Sequence, residues 1–222
     1  MKLLTWFCSV LFPEKCILCG KLLEDEALDL CPDCRVNAPE CPVSKIKFPF
    51  IDQWTALWYY KENVRKSLLK YKFHNYRSYA AAYGRLLAMK LMKEDRADFD
   101  ILTWIPISRQ RKRRRGFDQV ELLAQKLGAE LQIHPIRTLE KVRNNRQQSR
   151  IVGSAQRRAN VLGAYIAIEP ENFVGKRVLI LDDIITTGAT ASECARILLT
   201  AGAKEVQLAV LATANHQTKT NG

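Results

Sequence analysis

Residues 178–190, Val-Leu-Ile-Leu-Asp-Asp-Ile-Ile-Thr-Thr-Gly-Ala-Thr, place an apolar run, two adjacent acids and a tight turn in immediate succession. Val178 to Leu181 read as a strand buried on both faces, which is the pattern of a parallel sheet. Asp182 and Asp183 follow at its carboxyl end, and the turn opens a helical pattern from Ala191 to Thr200. Ligands of open α/β sheets bind just beyond strand carboxyl ends, so acids and turn stand where a site is expected. The turn offers hydroxyls, free backbone N–H groups and a helix N-terminus, a nest for phosphate. The two carboxylates can accept hydrogen bonds from the two hydroxyls of a ribose. A sugar phosphate satisfies both halves.

These thirteen residues resemble, at every position, the phosphoribosyl pyrophosphate (PRPP) signature of type I phosphoribosyltransferases. The resemblance implies that Asp182 and Asp183 hold the ribose hydroxyls. It assigns the 5′-phosphate to Thr186, Thr187, Gly188, Ala189 and Thr190. A buried strand with an ordinary acidic turn is the competing account, and it leaves the full match unexplained.

Cys16-Ile-Leu-Cys19 and Cys31-Pro-Asp-Cys34 are two C-x2-C knuckles that can close four thiolates around one tetrahedral zinc. Paired disulfides or a thioredoxin-like redox motif are the alternatives. No secretory signal supports the first, and a redox motif would not come as a pair. Structural zinc is the expectation, stabilising a segment too small to build its own core. Cys41 lies near enough to substitute, whereas Cys8 and Cys194 fall in apolar helical contexts that favour buried, inert thiols.

With 222 residues, 47% of them hydrophobic, the chain can hold one moderate domain plus a small appendage and is not disordered throughout. No apolar run approaches a membrane span. Leu3 to Phe12 reads as an amphipathic helix rather than a signal peptide, so a cytoplasmic location is expected. The net charge of +12 is concentrated in Arg109-Gln-Arg-Lys-Arg-Arg-Arg115 and in Arg137, Lys141, Arg143, Arg146, Arg150, Arg157 and Arg158. Such density attracts polyanions, and nucleic acid and a pyrophosphate-bearing ligand compete to explain it. A solvated charged surface is the bland alternative.

Along the chain, residues 1–48 read as a helix, the zinc module and a Pro-rich exit. Trp54 to Tyr60 reads as an edge strand, and Asn63 as the cap of a helix carrying Val64, Leu68, Leu69 and Tyr71. A helix at Tyr79 to Lys93 precedes a buried strand at Ile101 to Ile107, whose Pro106 marks its end. The basic loop follows, then a helix from about Asp118 to Leu131 with Asp118 as its N-cap. Phe117 could stack a base or anchor that helix start. A short strand or turn near Ile133 to Ile136, a strand at Ala164 to Ile168 and a last strand at Glu205 to Ala212 complete the pattern. Strands alternating with helices predict an α/β fold with a largely parallel sheet, spanning 49–214, and a disordered tail at 215–222. His74, His134 and His216 have no metal-ligand spacing and receive no role.

Cysteine knuckles, Arg115-Gly-Phe-Asp-Gln119 and the 178–190 motif, taken in this order, resemble the ComF family (including the ComFC and GntX proteins) from Phe12-Pro13 through Ala209. Gln148 and Arg158-Ala-Asn-Val161 also look like the family pattern. The family usually shows Arg-Gly-Phe-Asn-Gln, and Asp118 keeps the N-cap ability of Asn. The resemblance implies a type I phosphoribosyltransferase-like domain joined to a zinc module, PRPP binding with Mg²⁺, and a role in DNA uptake during natural transformation beside a helicase-like competence protein. Arg109 is the expected pyrophosphate cation, and Arg113, Arg114 and Arg115 the expected contacts to single-stranded DNA. No catalytic residue is assigned, because phosphoribosyl transfer needs position and electrostatics rather than a protein nucleophile. Thr186 stands where purine-salvage relatives often carry an acid, which argues against purine salvage. Two functions remain: a PRPP-binding, DNA-handling protein, or an active transferase of nucleotide metabolism with an unknown acceptor.

Overall fold

The computed structural model describes residues 15–23, 29–143 and 161–214. In chain order its elements are α1 (Pro32–Asn37), β1 (Gln53–Tyr59), α2 (Glu62–Phe73), α3 (Tyr79–Lys93), β2 (Ile101–Trp104), α4 (Arg109–Arg115), α5 (Gln119–Leu131), β3 (Leu139–Lys141), β4 (Tyr165–Ala167), β5 (Arg177–Ile185), α6 (Ala189–Thr200) and β6 (Glu205–Thr213). The main sheet is parallel throughout, in the order β1-β6-β5-β2. The chain enters at one edge, crosses to the other through α2 and α3, and fills the middle last.

Alternation along β5 explains why the sheet has two cores. Leu179 and Leu181 join Leu102, Leu68, Leu87 and Leu123 on one face. Val178 and Ile180 join Phe48, Cys194, Leu198 and Val206 on the other. Both faces are therefore dry, as parallel strands require. All four carboxyl ends open on one rim, where β1 and β6 deliver Tyr60 and Ala214, β2 delivers Ile105 to Ile107, and β5 delivers its acids.

Several local expectations change. β5 does not stop at Leu181, because β6 stays apolar beside it and the ladder continues through Asp182↔Val210 to Ile185↔Thr213. Both acids therefore lie within the strand, ahead of its last two residues. The helix begins at Ala189, so Ala189 and Thr190 form its first turn behind Gly188. Residues 109–115 form a helix, not a loop. Ser108 caps it by accepting from the Arg111 N–H, and Gly116 ends it in the left-handed region at φ 78°. Lys112–Glu121 and Arg109–Glu140 pairs offset part of the helix's self-repulsion. Lys61, not Asn63, occupies the N-cap of α2, with no side-chain cap bond. Ile133 to Ile136 form no strand. Leu139–Lys141 instead pairs antiparallel with Tyr165–Ala167, so 165–167 lies in a separate two-stranded ribbon. Trp54 to Tyr59 is an edge strand as expected.

The cysteine segment is seated on α2 and α3. Ile17, Leu18 and Leu30 share the core of Val64, Leu68 and Tyr83. Ser67 Oγ donates to the Ile17 carbonyl and lies 2.6 Å from the Tyr83 hydroxyl. Among the described residues, no helix is long and apolar enough to cross a membrane. The expected helix near Leu3 to Phe12, Cys8, Arg146, Gln148, Arg150, Arg157, Arg158 and the tail lie outside the described residues.

Candidate functional site

A cavity of about 500 Å³ opens at the carboxyl rim. It is lined by Asp182, Asp183 and Thr186 to Thr190, so both halves of the 178–190 motif face one space. Lys72, Arg111, Arg115 and Lys141 line it as well, four cations against two acids. That balance fits a ligand carrying several negative charges.

Local structure fixes the turn. Gly188 adopts φ 75°, and a Cβ there would stand 2.2 Å from Phe48 Cδ1. Only glycine avoids both the left-handed penalty and the overlap. The Ala189 N–H reaches back to Thr187 Oγ1 at 3.5 Å. Helix α6 then points its N-terminus, with its orphan N–H groups, at the cavity.

The two acids are not equivalent. Both oxygens of Asp183 are engaged by protein, each with a lone pair to spare: Lys72 Nζ lies 2.9 Å from Oδ1, and Gln119 Nε2 donates to Oδ2 at 2.9 Å. Burial alone would raise its pKa, but Lys72 and Gln119 outweigh burial and hold the carboxyl below its usual value. Among the described residues, Asp182 accepts only the Asp183 N–H, at 2.8 Å. Burial and the adjacent Asp183 charge push its carboxyl well above the usual carboxylate range. Of two crowded acids, one stays ionised and its neighbour tends to keep a proton.

The Arg115-to-Gln119 element ties the neighbouring loop to this pair. Asp118 is buried and caps α5, accepting from the Val120 and Glu121 N–H groups at 2.9 and 3.3 Å. Its other oxygen accepts from the Ile107 N–H at 3.0 Å, which clamps the loop after β2. Burial raises its pKa in spite of these three donors. Phe117 packs edge-on against Tyr71 and lies under Arg77, so it anchors the helix start and is half-buried. Arg115 stacks 4.7 Å over Phe73, and neither its Nε nor Gln119 Oε1 has a hydrogen-bond partner among the described residues. One buried donor and one buried acceptor at the cavity wall are what a polar ligand would satisfy.

Arg109, the expected pyrophosphate cation, is not in the cavity lining. It is largely exposed and donates to Glu140 at 2.8 Å, because helix formation turns it outward. Arg111, one helical face round, lines the cavity in its place. Arg113 and Arg114 are exposed, as a rim contact requires, but Arg115 turns inward. Lys72, which the sequence does not single out, and Lys141, one of the basic residues expected to attract polyanions, reach the cavity from elements remote in sequence. Gln119 did lie within the quoted element. Lys141 donates to the Tyr165 hydroxyl at 2.9 Å and sits 4.7 Å over its ring. Burial, with Arg111 nearby, pushes its ammonium down to about 8.

Away from the cavity, the sulfurs of Cys16, Cys19, Cys31 and Cys34 all lie within 4.8 Å of one another. The Cys19 and Cys31 sulfurs stand 3.6 Å apart, near the ~3.8 Å edge of a tetrahedron with ~2.3 Å zinc–sulfur bonds. Burial raises the Cys16 thiol, but the amides of Cys19, Cys31 and Leu18 outweigh it and bring it to about 7. The four residues fit a metal ion such as zinc. Cys41 is buried in the other core and does not join them, and Cys194 is buried on the inner face of α6.

Residues 113–221 match the family model of the phosphoribosyl transferase domain. The chain is 26% identical over 225 residues to Competence protein F of Haemophilus influenzae, covering 91% of this chain and 98% of that protein. It is 28% identical over 226 residues to Competence protein ComFC of Streptococcus pneumoniae, covering 87% and 97%. It is 29% identical over 202 residues to the DNA utilization protein YhgH of Salmonella typhi, covering 87% of each. These similarities extend well beyond residues 113–221.

Proposed function

For a ComF-like chain built on a type I phosphoribosyltransferase fold, we propose that the rim cavity binds PRPP and that the protein handles single-stranded DNA during uptake in the cytoplasm. The observation that carries the PRPP half is the convergence of the acid pair, the Gly188 turn and four cations on one cavity. Asp182 and Asp183 receive the ribose hydroxyls. Thr186 to Thr190 cradle the 5′-phosphate with backbone N–H groups. Arg111, Arg115 and Lys141 face the pyrophosphate. Mg²⁺ supplies charge neutralisation on the pyrophosphate oxygens.

The DNA half rests on the names of the relatives and on surface chemistry. Arg113 and Arg114 are exposed, and Phe73 and Tyr76 are 47% and 43% exposed, with Arg115 4.7 Å over the Phe73 ring and Lys70 5.7 Å over the Tyr76 ring. Exposed cations and part-exposed rings suit single strands, whose phosphates and base faces they can engage. A helicase-like competence protein is the partner implied by the ComF resemblance.

Replacing Asp182 and Asp183 by Ala removes the ribose acceptors while leaving Val178 to Leu181 in place. Calorimetry should then show lost PRPP affinity in the presence of Mg²⁺, and retained affinity refutes the site. On the DNA side, Arg113→Ala with Arg114→Ala should flatten the salt dependence of binding by about 1.4 log units per log unit of salt, at ~0.7 per phosphate. An unchanged slope refutes that surface. An active transferase is the second reading, favoured by Lys141, whose lowered pKa of about 8 leaves a fraction as the neutral amine, which could take a proton from an acceptor and become the ammonium. It requires pyrophosphate release that depends on an added acceptor.

A further inference from the structure

We propose that Lys72 is the resident counter-cation of the acid pair, holding Asp183 in position and filling the place where a divalent cation would otherwise have to neutralise the two carboxylates. This rests on the reading of the cavity as a sugar-phosphate site. The ion pair is 2.9 Å long, with the two side chains only 15% and 9% exposed, unlike a surface pair that water dissolves.

Lys72 is fixed rather than free to swing. It lies in the last turn of α2, next to Tyr71, whose hydroxyl donates to the Gln119 carbonyl at 2.5 Å. Five residues back, Ser67 ties the same helix to the Ile17 carbonyl in the cysteine segment. Asp183 is thus approached from α2 by Lys72 and from α5 by Gln119, with the Arg115 charge from α4 nearby. A magnesium ion needs oxygens in near-octahedral array at about 2.0–2.1 Å. At Asp183 it would have to displace Lys72 from Oδ1 or Gln119 from Oδ2, and Asp182, whose carboxyl tends to keep a proton, offers it no second carboxylate. The acid pair is therefore poorly suited to a dedicated Mg²⁺ site, and Mg²⁺ belongs on the pyrophosphate of the ligand instead.

Ribose 5-phosphate separates these roles, because it has the two hydroxyls and the 5′-phosphate but no pyrophosphate. Calorimetry on the full chain should give the native protein the same affinity for it in chelator and in Mg²⁺. Lys72→Met should lose about tenfold or more in chelator and recover in part when Mg²⁺ is added, while Lys72→Arg retains metal-independent binding. Native binding that itself requires Mg²⁺ overturns the proposal, as does a Lys72→Met protein that binds like the native one in chelator. If Lys72→Met does not fold, Lys72→Met with Asp183→Asn leaves no unpaired charge, and affinity should drop with no response to Mg²⁺. A persisting response overturns the counter-cation role. A native protein that binds neither PRPP with Mg²⁺ nor ribose 5-phosphate removes the sugar-phosphate reading, and the counter-cation falls with it. Native binding beside an indifferent Lys72→Met removes the counter-cation alone.

Discussion

Gly188→Ala concentrates the structural logic of the phosphate turn in one methyl group. Two costs add. The residue sits at φ 75°, where an L side chain loses roughly 1–2 kcal/mol. The new Cβ would stand 2.2 Å from Phe48 Cδ1 and 2.6 Å from Cε1. Phe48 is only 6% exposed and packs edge-on against Trp54 at 5.2 Å, so it cannot simply step aside. Overpacking of that kind costs about 1–3 kcal/mol. The sum, about 2–5 kcal/mol, corresponds to a melting temperature lower by roughly 4–20 °C for a chain of this size. Urea denaturation of Gly188→Ala, Phe48→Ala and the double variant separates the two costs. Phe48→Ala alone should cost about 3–5 kcal/mol through its cavity, but it makes room for the methyl group. The double variant should therefore be less destabilised than the two singles combined, by the overpacking share of about 1–3 kcal/mol. Strict additivity, or a loss below about 1 kcal/mol for Gly188→Ala alone, would show that Phe48 does not brace the turn. PRPP affinity should fall with the first substitution, because the N–H groups of the turn lose their alignment.

Freshly purified protein should carry one zinc per chain, and Cys31→Ser should release it. Because Cys31 shares a core with Val64 and Leu68, the loss should lower the melting temperature of the whole chain. Elemental analysis showing no zinc, or full retention in the variant, counts against the site. PRPP affinity should decline as pH rises through about 8, since Lys141 is cationic below that point and neutral above it. Lys141→Met should bind more weakly at neutral pH and show a smaller decline, since Asp182 in the same cavity also titrates near there. A native affinity that stays flat across this range would mean that Lys141 does not face the ligand.

The sequence read best where the physics is local. β5 was legible because Val178 to Leu181 are apolar at every position, which only a strand dry on both faces explains. Its extension through the acids was not legible, since it depends on Val210 to Ala212 of β6 lying alongside. Helix α4 carried its own start and stop in Ser108 and Gly116, yet the charge run between them outweighed those signals. Its stability draws on Glu121 and Glu140, which lie in other elements. Ribbon β3–β4 was missed because three-residue strands have too little periodicity to read.

Residues 115–119 mark the boundary between what is local and what is not. The Gly116 turn and the Asp118 cap on Val120 and Glu121 act on residues within four positions, and both were legible from neighbours in the chain, unlike the Asp118 clamp on Ile107. Gln119 and Arg115 act on Asp183, Phe73 and the cavity, and their roles come from the sheet order. β2 and β5 become neighbours only because the chain crosses from one sheet edge to the other before filling the middle. That crossing carries α2 past the carboxyl rim and delivers Lys72 to Asp183. A motif read from consecutive residues therefore gives the ligand's hydroxyl and phosphate contacts. The counter-charges that decide which acid is ionised, and whether metal is needed there, are supplied by topology.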